Sequence, residues 1–206
     1  MTDYSTLMPG DAVVALRTLP RRVNAALGVV DEATEGRAHQ LGAGGVSAIE
    51  AILGATATLA VLEKGLSDVS ILDDVLLHPA VTNRRLRSIE LTTNEPTEAV
   101  VEQFTERVTA LADLAESIKG KDWSRTGVVA DARVSALDLL RDAVEVGVDA
   151  LAQVERIIAS LRGTRTAPKR YSAQSSGLSS TNHSTIEPST PSTSTSPRFS
   201  GGSSAL

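Results

Sequence analysis

The sequence predicts an all-α fold: an antiparallel four-helix bundle over residues 10–163, after a flexible start at 1–9 and before a disordered tail at 164–206. Three observations predict it. Apolar residues recur at helical spacing in four separate stretches. Hydrophobic residues make up 41% of the chain but aromatic ones only 2%, so Leu, Val, Ile and Ala must fill the core, a palette suited to helix-on-helix packing. Beyond Pro168 about half the residues are Ser or Thr, with Pro188, Pro191 and Pro197 among them, too little apolar surface to offset the entropy of ordering.

The first helix is expected to be capped by Asp11 and to run through Val13, Val14, Leu16, Leu19, Val23, Ala26, Leu27 and Val30, with a kink at Pro20. Four glycines between Gly36 and Gly45 predict a connection. Helix two is predicted to begin at Ser47, with Glu50 three residues later as a capping box, and to carry Ile49, Ile52, Leu53, Leu59, Leu62 and Leu66 on one face. After Ser67 the pattern loosens. Ile71 to Leu77 reads as a short helix ended by His78-Pro79, and Asn83 to Thr93 as a polar connection.

Helix three is predicted from a cap at Asn94, with Pro96 in its first turn, through Val100, Val101, Phe104, Val108, Leu111, Leu114 and Ile118 to a stop at Gly120. A loop from Lys121 to Arg133, holding the single Trp, leads to helix four, with Val134, Leu137, Leu140, Val144, Val148, Leu151 and Ile158 as its stripe and Gly163 as its C-cap. No strand-period segment competes with these helices.

Charge and residue usage exclude several functions. The tail carries four cations against Glu187, a charge of +3, which leaves -8 on the rest. A body this acidic repels a phosphate backbone, so nucleic acid is not expected as a partner. The absence of Cys removes disulfides, thiolate metal sites and a cysteine nucleophile. The N-terminal residues lack a basic segment followed by an apolar one, and no run of 18 apolar residues occurs, so no membrane partner is expected and the protein reads as cytoplasmic. Gly42-Ala43-Gly44-Gly45 opens a helix but lacks the strand and Lys of a phosphate loop. Asn182-His183-Ser184 matches a glycosylation sequon by chance on this reading.

The segment Asp122-Trp123-Ser124-Arg125, followed by Arg133-Val134-Ser135-Ala136-Leu137 opening the last helix, resembles the DinB-like superfamily of four-helix bundles, which includes the mycothiol-dependent maleylpyruvate isomerase metal-binding domain. Leu19-Pro20-Arg21, Ser47-Ala48-Ile49-Glu50 and Val154-Glu155-Arg156-Ile157 carry the same resemblance, which spans about residues 10–162. It implies a site of three histidines, one early on helix two and two on helix four spaced i, i+4. Anchored at Ser47 and Leu151, that pattern falls on Ala51, with Gly54 or Ala55 if the register slips, and on Glu145 and Asp149.

All three imidazoles are therefore missing, and His39, His78 and His183 lie in predicted loops or the tail. Glu145 and Asp149 are the remaining candidate metal ligands, and Ala51 cannot ligate. Two carboxylates suit a hard cation such as Mg²⁺ or Ca²⁺, which takes about six oxygens, so a divalent cation is the one cofactor these residues could hold and none is expected to be required. Asp138, Asp142, Glu145 and Asp149 share one face of helix four. Such a run reads first as a solvated flank and second as a cation site, with Glu50 as a third oxygen ligand facing it. Trp123 is expected to cover one end of the core and Arg125 to pair with a helix-three carboxylate.

The leading expectation is a DinB-like bundle that has lost its metal site and works by binding, to itself as a homodimer, to another protein or to a small ligand. The alternative is a metal- or thiol-cofactor-dependent transferase or isomerase using Glu145 and Asp149. A third is a phosphorylated tail displayed by an inert bundle.

Overall fold

The computed structural model describes residues 4–28, 32–83 and 94–163, all within the unit Met1–Ala167. Helix α1 spans Pro9–Leu27. Its cap is Met8, not Asp11: Pro9 has no N–H to leave unpaired and its fixed φ starts the helix three residues earlier than expected. Pro20 lies inside a helix that continues to Leu27, and Gly28 ends it at φ 91°.

A short helix, α2, spans Glu32–Ala38 and takes in Gly36, which the sequence assigned to a connection. Its role lies elsewhere in the chain. The Glu35 carboxylate accepts the Thr97 N–H at 3.0 Å and receives His39 Nε2 at 3.1 Å. Helix α4, Thr97–Ser117, therefore starts at Pro96 with no side-chain cap of its own, and Asn94 does not fill that place. Partial burial pushes the Glu35 carboxyl up, but the bonds from Thr97 and His39 outweigh it and hold the group below its ordinary value. A depressed carboxyl contributes stability above its unfolded value of 4.5, and that contribution is lost as pH falls through the lower folded value. Glu35→Ala is expected to cost about 1 kcal/mol at neutral pH, as a lost cap does, and to leave stability less sensitive to acid below pH 4.5. Thermal unfolding of both proteins across pH 3 to 7 checks this.

Helix α3 spans Ala48–Ile71 and opens on the predicted capping box: Ser47 Oγ accepts the Glu50 N–H at 3.1 Å, and Glu50 Oε2 accepts the Ser47 N–H at 2.7 Å. The helix outlasts the expected loosening at Ser67. After it, Ile71 to Leu77 is not a separate helix, because β1, Val75–Leu76, pairs in parallel with β2, Thr126–Val129, which pairs antiparallel with β3, Ala132–Ser135. A three-stranded sheet thus replaces most of the predicted Lys121–Arg133 loop, and Val134 lies on a strand. His78 Nδ1 accepts the Ala80 N–H and caps a 3-10 turn, Pro79–Val81.

The Asp122–Arg125 segment lies in another 3-10 turn, Gly120–Ser124 and the residue after it. Arg125 pairs with Asp122 at 3.1 Å and its guanidinium donates to the Ser70 carbonyl in the last turn of α3, where the helix dipole favours a cation. Its partner is therefore on the turn and on α3, not on the expected carboxylate of α4. Asp73, just past α3, accepts the Thr126 N–H at 2.8 Å, a bond that holds its carboxyl below the ordinary value.

Helix α5, Ala136–Gly163, carries a second capping box in which Ser135 Oγ and Asp138 Oδ2 each accept the other's N–H, at 3.1 and 3.3 Å. Four long helices enclose one aliphatic core, with α1 and α3 each packed on both α4 and α5. Arg141 reaches the Leu7 carbonyl while Gly147 faces Leu19, so α1 and α5 run the same way. Arg17 pairs with Asp113 and Glu116, and Gly65 meets Leu139, which sets α4 against α1 and α3 against α5. Each helix thus has one parallel and one antiparallel neighbour, a correction to the wholly antiparallel expectation. Parallel neighbours need a long crossover, and residues 72–96 supply it between α3 and α4. The polar connection expected in that crossover and the tail from 164 lie outside the described residues.

Candidate functional site

The positions picked out by the histidine pattern meet in part. Ala51, Gly54 and Ala55 of α3 and Asp149 of α5 line one open groove of about 340 Å³ between the two helices. Small side chains make the groove. Ala51 and Ala55 fill little of the space that larger core residues occupy elsewhere on α3, and a Cβ placed on Gly54 would meet nothing within 4 Å. Val146 and Ala150 form the opposing apolar wall, with Thr58 at its far end.

Glu145 is partly buried on the turn before Asp149, and it does not line the groove. Glu50 does, but its Oε2 is held by the Ser47 N–H in the capping box. Asp149 is exposed and has no hydrogen-bond or ion-pair partner among the described residues. Among those residues no group of three or more His, Asp or Glu is placed to hold a metal ion. His39 and His78 are engaged with Glu35 and Ala80 and neither lines the groove; His183 lies outside the described residues.

The four carboxylates on one face of α5 divide by use. Asp138 is consumed by the capping box and lies 3.6 Å from Arg141, which itself reaches across to Leu7. Asp142 and Glu145 are half-buried, and Asp149 alone stands on the groove. Trp123 is half-buried and packs against the core from the turn that Arg125 fixes, consistent with its covering role.

The end of the groove opposite Thr58 was not foreseen in the sequence. At Val46 and Gln153 it runs into a second cavity of about 270 Å³, lined by Ala43 and Gly44 of the glycine loop and by Arg156, Ile157 and Ser160 of α5. Gly42 holds that loop close: a Cβ there would sit 3.1 Å from Ile157 Cγ1, tighter than most side chains tolerate. The signal available in sequence was the spacing of Asp149, Gln153 and Arg156 at i, i+4 and i+7, which returns to one helix face.

Comparison with protein-family models, with curated proteins and with solved structures gives no match to this chain. Among the described residues no helix is long and apolar enough to cross a membrane.

Proposed function

We propose that this chain is a DinB-like four-helix bundle, cytoplasmic, whose groove between α3 and α5 binds a small organic ligand without a metal-dependent reaction. One observation carries the reading. At two of the three positions where the resemblance puts imidazoles, Ala51 and Asp149, lies an open groove floored also by Gly54 and Ala55, and the Asp149 carboxylate on its wall has no partner among the described residues. A pocket with apolar walls and a few polar groups is the ordinary form of a small-ligand site. The transferase or isomerase alternative has less behind it, since its second carboxylate, Glu145, lies off the groove and its third, Glu50, is tied into a helix cap.

The competing location is an apolar cavity of about 310 Å³ beside Gly65, Leu77 and His78. A fragment library screened by amide NMR on the full chain separates the two. Shifts centred on Ala51, Gly54 and Asp149, abolished in Gly54→Leu, support the proposal. Shifts centred on Gly65 and His78, unaffected by Gly54→Leu, contradict it. Gly54→Leu is expected to fold, because a Cβ at that helical position meets nothing within 4 Å.

A second reading, self-association, rests on Ile71, Leu72 and Leu76, large apolar residues that are 71, 59 and 79% exposed around the short strand β1. Grouped exposed apolar side chains of this kind mark contact surfaces. Sedimentation of the wild type as a dimer and of Leu76→Lys as a monomer would support it; a monomeric wild type at high concentration would dismiss it.

A further inference from the structure

The charges along the groove say more about its ligand, on the reading that the groove is a binding site. Asp149, Gln153 and Arg156 follow one another on a single face of α5 and all line the continuous cleft formed by the two cavities. Among the described residues Asp149 has no polar partner. Arg156 spends only its Nε, on the Ala152 carbonyl at 3.1 Å, and makes no ion pair. An acid and a base on one helix face ordinarily neutralise each other when three or four residues apart. Here they are seven apart, about 10 Å between backbone positions along the axis at a rise of roughly 1.5 Å per residue, and no ion pair joins them. The cleft thus offers an anion at one end, a planar cation at the other and an amide between them.

We propose that the groove binds an extended zwitterion, in particular a peptide of about three residues with free termini. An extended chain spans roughly 3.3–3.6 Å per residue, so the terminal ammonium and carboxylate of a tripeptide lie about 10 Å apart, on the scale of the axial spacing between the Asp149 and Arg156 backbone positions of α5. The ammonium meets Asp149, and the carboxylate meets the guanidinium of Arg156, whose fork suits a carboxylate. Gln153, with a donor and an acceptor, faces the peptide groups between them. Ala51, Ala55 and Ala150 leave space for small apolar side chains. A polyamine would satisfy Asp149 and leave Arg156 opposed to like charge, and a dicarboxylate would do the reverse.

The probes are trialanine, N-acetyl-trialanine, trialanine amide and dialanine, titrated into the full-length protein by amide NMR. Trialanine is expected to shift Gly54, Asp149, Gln153 and Arg156, and each blocked or shortened form to bind about threefold to tenfold more weakly. Asp149→Asn is expected to make the free and acetylated tripeptides bind alike, and Arg156→Gln to do so for the free and amidated ones. Both side chains are exposed, and an unchanged thermal transition verifies that the variants fold. Equal binding of all four probes at the groove overturns the zwitterion and leaves the groove standing as a site. Binding elsewhere overturns both, and no binding by trialanine overturns the peptide assignment.

Discussion

Phe104→Ala is expected to destabilise the fold by about 3–5 kcal/mol, the cost of emptying a buried aromatic site that cannot collapse. Phe104 is fully buried on the inner face of α4 and is the largest side chain so placed among the described residues. Among the described residues the buried core around it is otherwise aliphatic, so no second buried ring adjoins it to refill the space. Because α4 packs on both α1 and α3, the cavity would loosen two helix pairs at once. Against a typical total of about 5–15 kcal/mol, the loss is large enough to read as a clear fall in the urea midpoint with little change in slope. Phe104→Leu, which refills most of the volume, is expected to recover more than half of it.

Gly127→Val is the second large effect. Gly127 is the inward position of β2 opposite Val75 of β1. A Cβ there would sit 2.6 Å from Leu77 Cγ and 3.0 Å from Val69 Cγ2, so both a strand-end residue and an α3 residue block it. Since Leu77 is buried and its N–H is bonded to the Val128 carbonyl at 2.9 Å, it cannot withdraw without breaking the sheet. The expected cost is about 2–3 kcal/mol, at the upper end for overpacking, with amide exchange accelerated first at Leu77 and Thr126. Gly54→Ala gives the contrast. A Cβ at that helical position meets open space, and removing glycine from a helix interior is expected to stabilise by about 0.5–1 kcal/mol.

Why the sheet escaped the sequence follows from the same residue. Alternation in Thr126-Gly127-Val128-Val129 is masked because its first inward position is a glycine, and one of the two partners of β2 is a two-residue strand some fifty positions upstream. Neither feature has a local periodicity. The helices were legible because each stripe is self-contained: Ile49, Ile52, Leu59, Leu62 and Leu66 are all buried as their spacing demands, and Ser47 with Glu50 forms the cap its motif specifies.

Helix starts were less legible where the partner is remote. The Thr97 N–H is satisfied by Glu35, sixty-two residues earlier, so the nearer Asn94 was the natural but mistaken choice. The groove was half legible. Ala51, Gly54, Ala55 and Asp149 were placed on it by the histidine spacing, whereas Glu145 was misplaced, and Arg156 was passed over because the pattern stops before it.

The measurement that bears most directly on the account is the metal content of the full-length protein, purified from cells supplied with zinc, nickel, iron and manganese and compared with Asp149→Ala. Neither protein is expected to retain stoichiometric metal, and added metal is expected to leave the unfolding temperature of both unchanged, because among the described residues Asp149 is the one carboxylate of the groove left without a partner. Stoichiometric metal in the wild type that is lost in Asp149→Ala would contradict it.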